Sequence, residues 1–157
     1  MDQAPTSMTV TPGRGLTVTR MFNAPRALVF AAWSDPKLLA QWWGPVHHPS
    51  VSVDMDLPGG KWRNGLRSVE NGEILWHHGE FIERVPPERL VFTFAWEEEG
   101  ERGEETVVTI TFEDFGHQTR MTLHQTPFLS VGERDGHSEG WSSSFDRLEA
   151  LLAQEQA

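Results

Sequence analysis

The sequence predicts an α+β fold: a curved antiparallel sheet of about seven strands wrapped around one long C-terminal helix, with two short helices after the first strand. Three observations predict it. From Val51 to Thr126 the apolar pattern has a period of two and is interrupted by turn-forming residues. From Ser130 to Leu152 the period becomes helical, with Trp141, Phe145, Leu148 and Leu152 on one face at steps of four, three and four. Between the first strand and the later ones lie two helical patterns opened by Pro25 and Pro36, residues suited to a first turn.

Met1 to Gly15, rich in Thr, Pro and Gly, is expected to be a flexible arm (residues 1–15) ahead of a single domain (residues 16–157). Leu16 to Asn23 reads as a strand whose one face carries Leu16, Val18, Arg20 and Phe22. Arg20 on an apolar face needs an acceptor. It is either an internal ion pair or strand-end charge, or an anion anchor inside a pocket. The first helix turns Val29, Ala32 and Trp33 inward with Leu28 on their flank. Ser34-Asp35-Pro36 ends it and caps the second, which runs to Trp43 and is stopped by Gly44-Pro45. Neighbours on a helix diverge, so one of Trp42 and Trp43 suits the core and the other borders an opening; simple packing of both is the plainer alternative.

Val51, Val53 and Met55 mark the next strand, and Pro58-Gly59-Gly60 a turn. Trp62 to Val69 is a more polar strand near an edge, and Asn71-Gly72 is a two-residue hairpin signal. Glu73 to Val85 places Leu75, His77, Gly79 and Phe81 on one face and Trp76, His78, Glu80 and Ile82 on the other. Pro86-Pro87 breaks it. Leu90, Phe92, Phe94 and Trp96 alternate in the clearest strand; Val108, Ile110 and Phe112 mark another. After Phe115-Gly116, Met121 and Leu123 face inward within Gln118 to Thr126. Hairpin-length turns make such strands antiparallel, and twist curls a sheet of this width.

In the last segment Ser130 and Glu133 match a capping box, with Asp135 or Ser138 as later starts. Continued towards the N-terminus, the apolar face turns polar at His137 and Arg134. Beside it Gly132, Gly136 and Gly140 recur every four residues. A helix of about 20 residues spans roughly 30 Å. Its second half can therefore seal a core, while its first half leaves a hollow against the sheet. The walls expected of that hollow are Trp43, Trp62 or Trp76, Phe92, Phe94, Trp141 and Phe145, with His137 or Arg20 as polar contacts. The alternative is that these rings fill the space.

Composition narrows the function. The 157 residues suffice for one core, and seven Trp and nine Phe suit a packed domain or a lined pocket. A net charge of −10 disfavours nucleic acid and anionic membranes as partners. The absence of cysteine removes disulfides, thiolate metal sites and a thiol nucleophile, and fits a cytoplasmic location. The polar Met1–Thr11 stretch is no signal peptide, and no apolar run spans a membrane.

No metal or other cofactor is expected. His77 and His78 are strand neighbours that face opposite sides, His47-His48 sits in a loop, and no HExxH spacing occurs. An acid–base site could draw on Glu80, His78, His124, Glu139 or His137, but nothing in the spacing brings them together. Ser142-Ser143-Ser144 lacks the context of a nucleophile elbow. Six Glu between Glu97 and Glu105 read as a solvated hairpin tip, or as a docking surface for a basic partner.

Several motifs, in order, carry a resemblance. They are Arg20-Met21-Phe22-Asn23-Ala24-Pro25, Val29-Phe30-Ala31-Ala32-Trp33, Asp35-Pro36 and Trp42-Trp43-Gly44-Pro45. Gly79-Glu80-Phe81, Pro86-Pro87-Glu88-Arg89-Leu90 and Gly140-Trp141 with Phe145, Leu148 and Leu151-Leu152 follow. From about Leu16 to Leu152 the chain resembles the homologues of the activator of the 90-kDa heat-shock protein ATPase. These are members of the START-like (SRPBCC) superfamily with its helix-grip, or Bet v-like, fold. The resemblance implies a cavity between sheet and terminal helix, in which many members of the superfamily hold apolar molecules. It supplies no shared catalytic motif. The function expected is therefore binding of a small hydrophobic or aromatic molecule, as carrier or sensor. The alternatives are a protein-interaction module or cofactor of the 90-kDa chaperone, and a cavity enzyme such as a cyclase or hydrolase using His137 or Glu80. Either a monomer or a homodimer is expected, the latter through apolar edges at Trp42 and Trp43.

Overall fold

A computed structural model describes residues 7–11, 15–57, 59–98, 101–102, 105–128 and 131–156, with side chains described for 15–55, 59–97, 105–128 and 134–156. In chain order the elements are β1 (Ser7–Thr11), β2 (Gly15–Phe22), α1 (Arg26–Ser34), α2 (Pro36–Trp42), β3 (Ser50–Leu57) and β4 (Lys61–Arg67). They continue with β5 (Ile74–Val85), β6 (Arg89–Glu98), β7 (Glu101–Arg102), β8 (Thr106–Phe115), β9 (Gln118–Thr126) and α3 (Val131–Glu155). All pairings are antiparallel, in the order β1-β2-β9-β8-β6-β5-β4-β3, with β7 turned back on β6. The expected helix-grip architecture is present. Register shifts between Phe81 and Glu83, and twice along β3, add local twist to the bending sheet.

Two strands exceed the expected set. Residues 7–11, assigned to a flexible arm on composition, pair with β2 from Ser7↔Thr19 to Thr11↔Gly15. The free side of β2 offers a row of backbone donors and acceptors, and a Thr-Val-Thr run suits an extended partner. Residues 1–6 and 12–14 of that arm lie outside the described residues. The second extra strand, β7, is the return of the acidic hairpin, pairing Glu97 with Arg102. Asn71-Gly72 is not a two-residue hairpin. Ser68 N–H donates to the Glu73 carbonyl across 2.8 Å and Gly72 N–H to the Ser68 carbonyl across 2.9 Å, so the turn takes six residues, 68–73. Asn71 acts inside it, its Oδ1 accepting from Glu73 N–H at 2.9 Å.

The alternation of the strands sets the core. Leu16, Val18 and Phe22 of β2, Leu90, Phe92 and Phe94 of β6, Val108, Ile110 and Phe112 of β8, and Met121 and Leu123 of β9 are all buried. The terminal helix seals them with Trp141, Phe145, Leu148, Leu151 and Leu152, and packs against β2, α1 and α2. Phe30 and Phe128 join this core although neither lies in the apolar pattern read from the sequence. Asp35 ends α1 and caps α2, its Oδ1 accepting from Lys37 N–H at 2.9 Å.

Gly79 shows why β5 can lie so close to its neighbours. A Cβ there would stand 1.8 Å from the Thr93 carbonyl oxygen and 2.8 Å from Trp62 Nε1, so no larger residue fits without moving backbone.

Candidate functional site

The first half of α3 stands off the sheet. At Gly136 and at Gly140 an added Cβ would meet no atom within 4 Å. The space they face is a pocket of about 340 Å³, within the range typical of small-molecule sites. Gly136, His137, Gly140, Trp141 and Ser144 form its helix side. Leu66 of β4, Leu75 and His77 of β5, and Phe94 and Trp96 of β6 form its sheet side. Trp43, Gly44, Pro45 and His48, after α2, complete it. The Ser130–Glu133 capping box lies outside the described side chains, but the helix itself begins at Val131, ahead of both later candidate starts.

The loop over the pocket is fixed from α3. Arg147 Nη1 donates to the Gly44 carbonyl at 2.7 Å and its Nη2 to the Gln41 carbonyl at 2.9 Å, satisfying acceptors left free at the end of α2. Partial burial lowers the Arg147 pKa. Ser143 Oγ accepts from Val46 N–H at 3.2 Å. Gly44 turns the chain at φ +94°, and a Cβ there would lie 2.4 Å from the His48 carbonyl oxygen.

Three indoles in the wall each use their N–H inside the protein. Trp43 Nε1 donates to His77 Nε2 at 2.7 Å. Trp96 Nε1 donates to His137 Nε2 at 3.0 Å. Trp141 Nε1 donates to Gln125 Oε1 at 2.8 Å, and Gln125 Nε2 in turn donates to Thr106 Oγ1 at 2.9 Å. Two imidazoles thus accept at Nε2, which places the proton of each neutral ring on Nδ1. Burial keeps them neutral, lowering the pKa of His77 to about 3 and that of His137 to about 4. His77 is fully buried, and its Nδ1 has no partner of hydrogen-bonding geometry.

Four of the residues expected to line a hollow do so: Trp43, Phe94, His137 and Trp141. The adjacent tryptophans divide as their divergence implies. Trp42 is wholly buried and donates to the Ala32 carbonyl at 2.9 Å, while Trp43 borders the pocket. Neither leaves an exposed apolar edge, so the expectation of a dimer through them loses its basis.

The other five expected wall residues lie elsewhere. Arg20 is no pocket anchor: its guanidinium contacts Glu149 at 2.6 Å and Asp146 at 2.9 Å, carboxylates on the second half of α3. Trp76 faces the outer side of the sheet, under the Arg63 guanidinium at 4.0 Å, because its neighbour His77 takes the inner side. Trp62 and Phe92 point inward but line a separate void of about 20 Å³. Phe145 is packed completely, against Trp141 at 5.7 Å and Phe22 at 6.2 Å.

The sheet residues missed were legible in part. Leu75 and His77 share the inner face read from β5, and Trp96 continues the row of Leu90, Phe92 and Phe94. Gly44, Pro45 and His48 reach the pocket through loop geometry, for which the sequence holds no periodic signal.

The candidate acid–base residues are dispersed. Glu80 is exposed, His78 contacts Glu97 at 2.9 Å outside the pocket, and His124 Nδ1 lies 3.0 Å from Thr17 Oγ1. Among the described residues no Asp, Glu, Lys or Arg lines the pocket, and no three His, Asp or Glu gather as a metal site. No helix among them is long and apolar enough to cross a membrane.

Comparison with known proteins gives a consistent picture. The family model described as Activator of Hsp90 ATPase homolog 1-like protein matches residues 23–153. A crystal structure of an AHSA1 protein from Silicibacter pomeroyi is similar at 30% identity and a TM-score of 0.81, covering 90% of this chain and 99% of that one. A crystal structure of a Mycobacterium smegmatis protein is similar at 27% identity and a TM-score of 0.79, over 96% of this chain and 99% of that one. A solution structure from Arthrobacter aurescens shares the fold at a TM-score of 0.82 and 24% identity, over 94% of this chain and 91% of that one. Among proteins of curated function none matches the sequence.

Proposed function

The chain belongs to the Activator of Hsp90 ATPase homolog 1-like protein family, and from that premise we propose that it binds a small hydrophobic or aromatic molecule beneath the first half of α3, as a carrier or sensor. One observation carries this reading. Two helical glycines, where an added Cβ would meet no atom within 4 Å, face a pocket of about 340 Å³ walled by Trp, Phe and Leu. Helix interiors disfavour glycine by about 1 kcal/mol relative to alanine, so these two positions hold space at the expense of stability. A ligand entering that space covers apolar wall and its own apolar surface, at about 25 cal/mol per Å² removed from water. Titration of the intrinsic Trp fluorescence with a panel of lipids, sterols and aromatic polyketides tests the proposal. A saturable change with at least one compound is expected; no response across the panel counts against it.

The family's description favours a second reading, cofactor of the 90-kDa chaperone. Its test is a pull-down with the chaperone from the same organism and the chaperone's ATPase rate with and without this protein. Complex formation with a raised rate supports it, and neither complex nor rate change removes it.

A further inference from the structure

The polar atoms of the pocket restrict what it takes, provided it binds a ligand as proposed above. The indole N–H groups of Trp43, Trp96 and Trp141 are spent on His77, His137 and Gln125. Both imidazoles accept at Nε2 and so present N–H at Nδ1. His137, on the helix side, has no protein partner for that nitrogen among the described residues. His77, on the sheet side, differs: its Nδ1 is fully buried and closed off from the pocket space. The Phe94 ring lies between them, 5.1 Å from His77 and 5.4 Å from His137. No Asp, Glu, Lys or Arg of the described residues lines the pocket, whose other polar side chains are His48 and Ser144. A carboxylate or ammonium brought here finds no counter-charge, whereas a buried donor left unpaired is unfavourable.

We propose that the pocket selects an uncharged aromatic molecule bearing a carbonyl oxygen, which accepts a hydrogen bond from His137 Nδ1–H. Trp96 then acts as a positioning residue. It fixes the tautomer that makes His137 a donor rather than an acceptor at Nδ1.

Calorimetric titration with three tricyclic probes of one shape, fluorene, fluoren-9-one and fluorene-9-carboxylate, tests this. The ketone is expected to bind more tightly than the hydrocarbon by about tenfold, the factor that one net hydrogen bond of about 1.4 kcal/mol provides, and the carboxylate least tightly. In His137→Phe the ratio of ketone to fluorene affinity is expected to fall to about twofold or less, whatever the change in fluorene affinity itself. Should that variant fold poorly, long-range ¹H–¹⁵N spectra of the unmodified protein decide instead. The His137 Nδ1 resonance should move with the ketone and hold still with fluorene. Equal affinity for ketone and hydrocarbon, tightest binding by the carboxylate, or an Nδ1 resonance indifferent to the ketone overturns this inference and leaves the pocket reading standing. Binding of none of the three overturns this inference, and the panel titration above then decides the pocket reading.

Discussion

Trp43 donates its indole N–H to Nε2 of His77 across 2.7 Å, and the two rings lie nearly parallel at an interplanar angle of 20°. One residue follows α2 and the other sits mid-strand in β5, 34 positions later. The contact therefore ties the helical segment to the sheet at the pocket wall.

Trp43→Phe keeps most of the ring volume and removes the donor. His77 Nε2 is then a buried acceptor with nothing to accept from, and a loss of about 1–3 kcal/mol in unfolding free energy is expected. In Trp43→Phe/His77→Phe both polar atoms are gone, and part of that loss should return. Urea unfolding of the two single variants and the double variant measures the coupling.

Gly140→Ala is expected to raise stability by about 1 kcal/mol, since alanine outranks glycine in a helix and the added Cβ meets no atom within 4 Å. Thermal unfolding checks it. A fall in stability would mean that the position is less open than described.

Acidification should weaken the fold through His77 and His137. Above an ordinary imidazole pKa of 6.5 both are neutral, folded or unfolded. Below it the unfolded chain takes up protons that the native rings refuse until about pH 3 for His77 and about pH 4 for His137. Because the unfolded state binds more protons in that window, stability falls with pH, by up to about 1.4 kcal/mol per pH unit for each ring. Urea unfolding between pH 7 and 5 should show the decline, and His137→Phe should make it shallower.

The same physics explains what the sequence could and could not reveal. Strand alternation identifies His77 as inner and His78 as outer, and it equally excludes Trp76 from any pocket that contains His77. Helical spacing finds Trp141 and Phe145 on one face. Which of the two meets empty space depends on how far α3 tilts off the sheet, which no local pattern records. Arg20 reads correctly as a charge on an apolar face. Its partners Asp146 and Glu149 lie more than 120 residues away in sequence, at separations only the fold closes. Arg147 carries no signal at all, because its acceptors are backbone carbonyls at the end of α2.

Arg20→Met separates an ion pair from a ligand anchor. Arg20 is only 7% exposed, but Asp146 is 73% and Glu149 28% exposed, so solvent screens part of the interaction. A loss of about 1–3 kcal/mol is expected, with ligand affinity unchanged within about twofold. A large fall in affinity at unchanged stability would return Arg20 to the binding site.

The central claim is that α3 holds open a ligand-sized space at Gly140. It is tested most directly by titrating the neutral aromatic dye N-phenyl-1-naphthylamine into the unmodified protein and into Gly140→Phe, with circular dichroism confirming that both are folded. The account predicts saturable one-to-one binding by the first and none by the second, whose added ring occupies the pocket. Equal binding by both, or binding by neither, would contradict it.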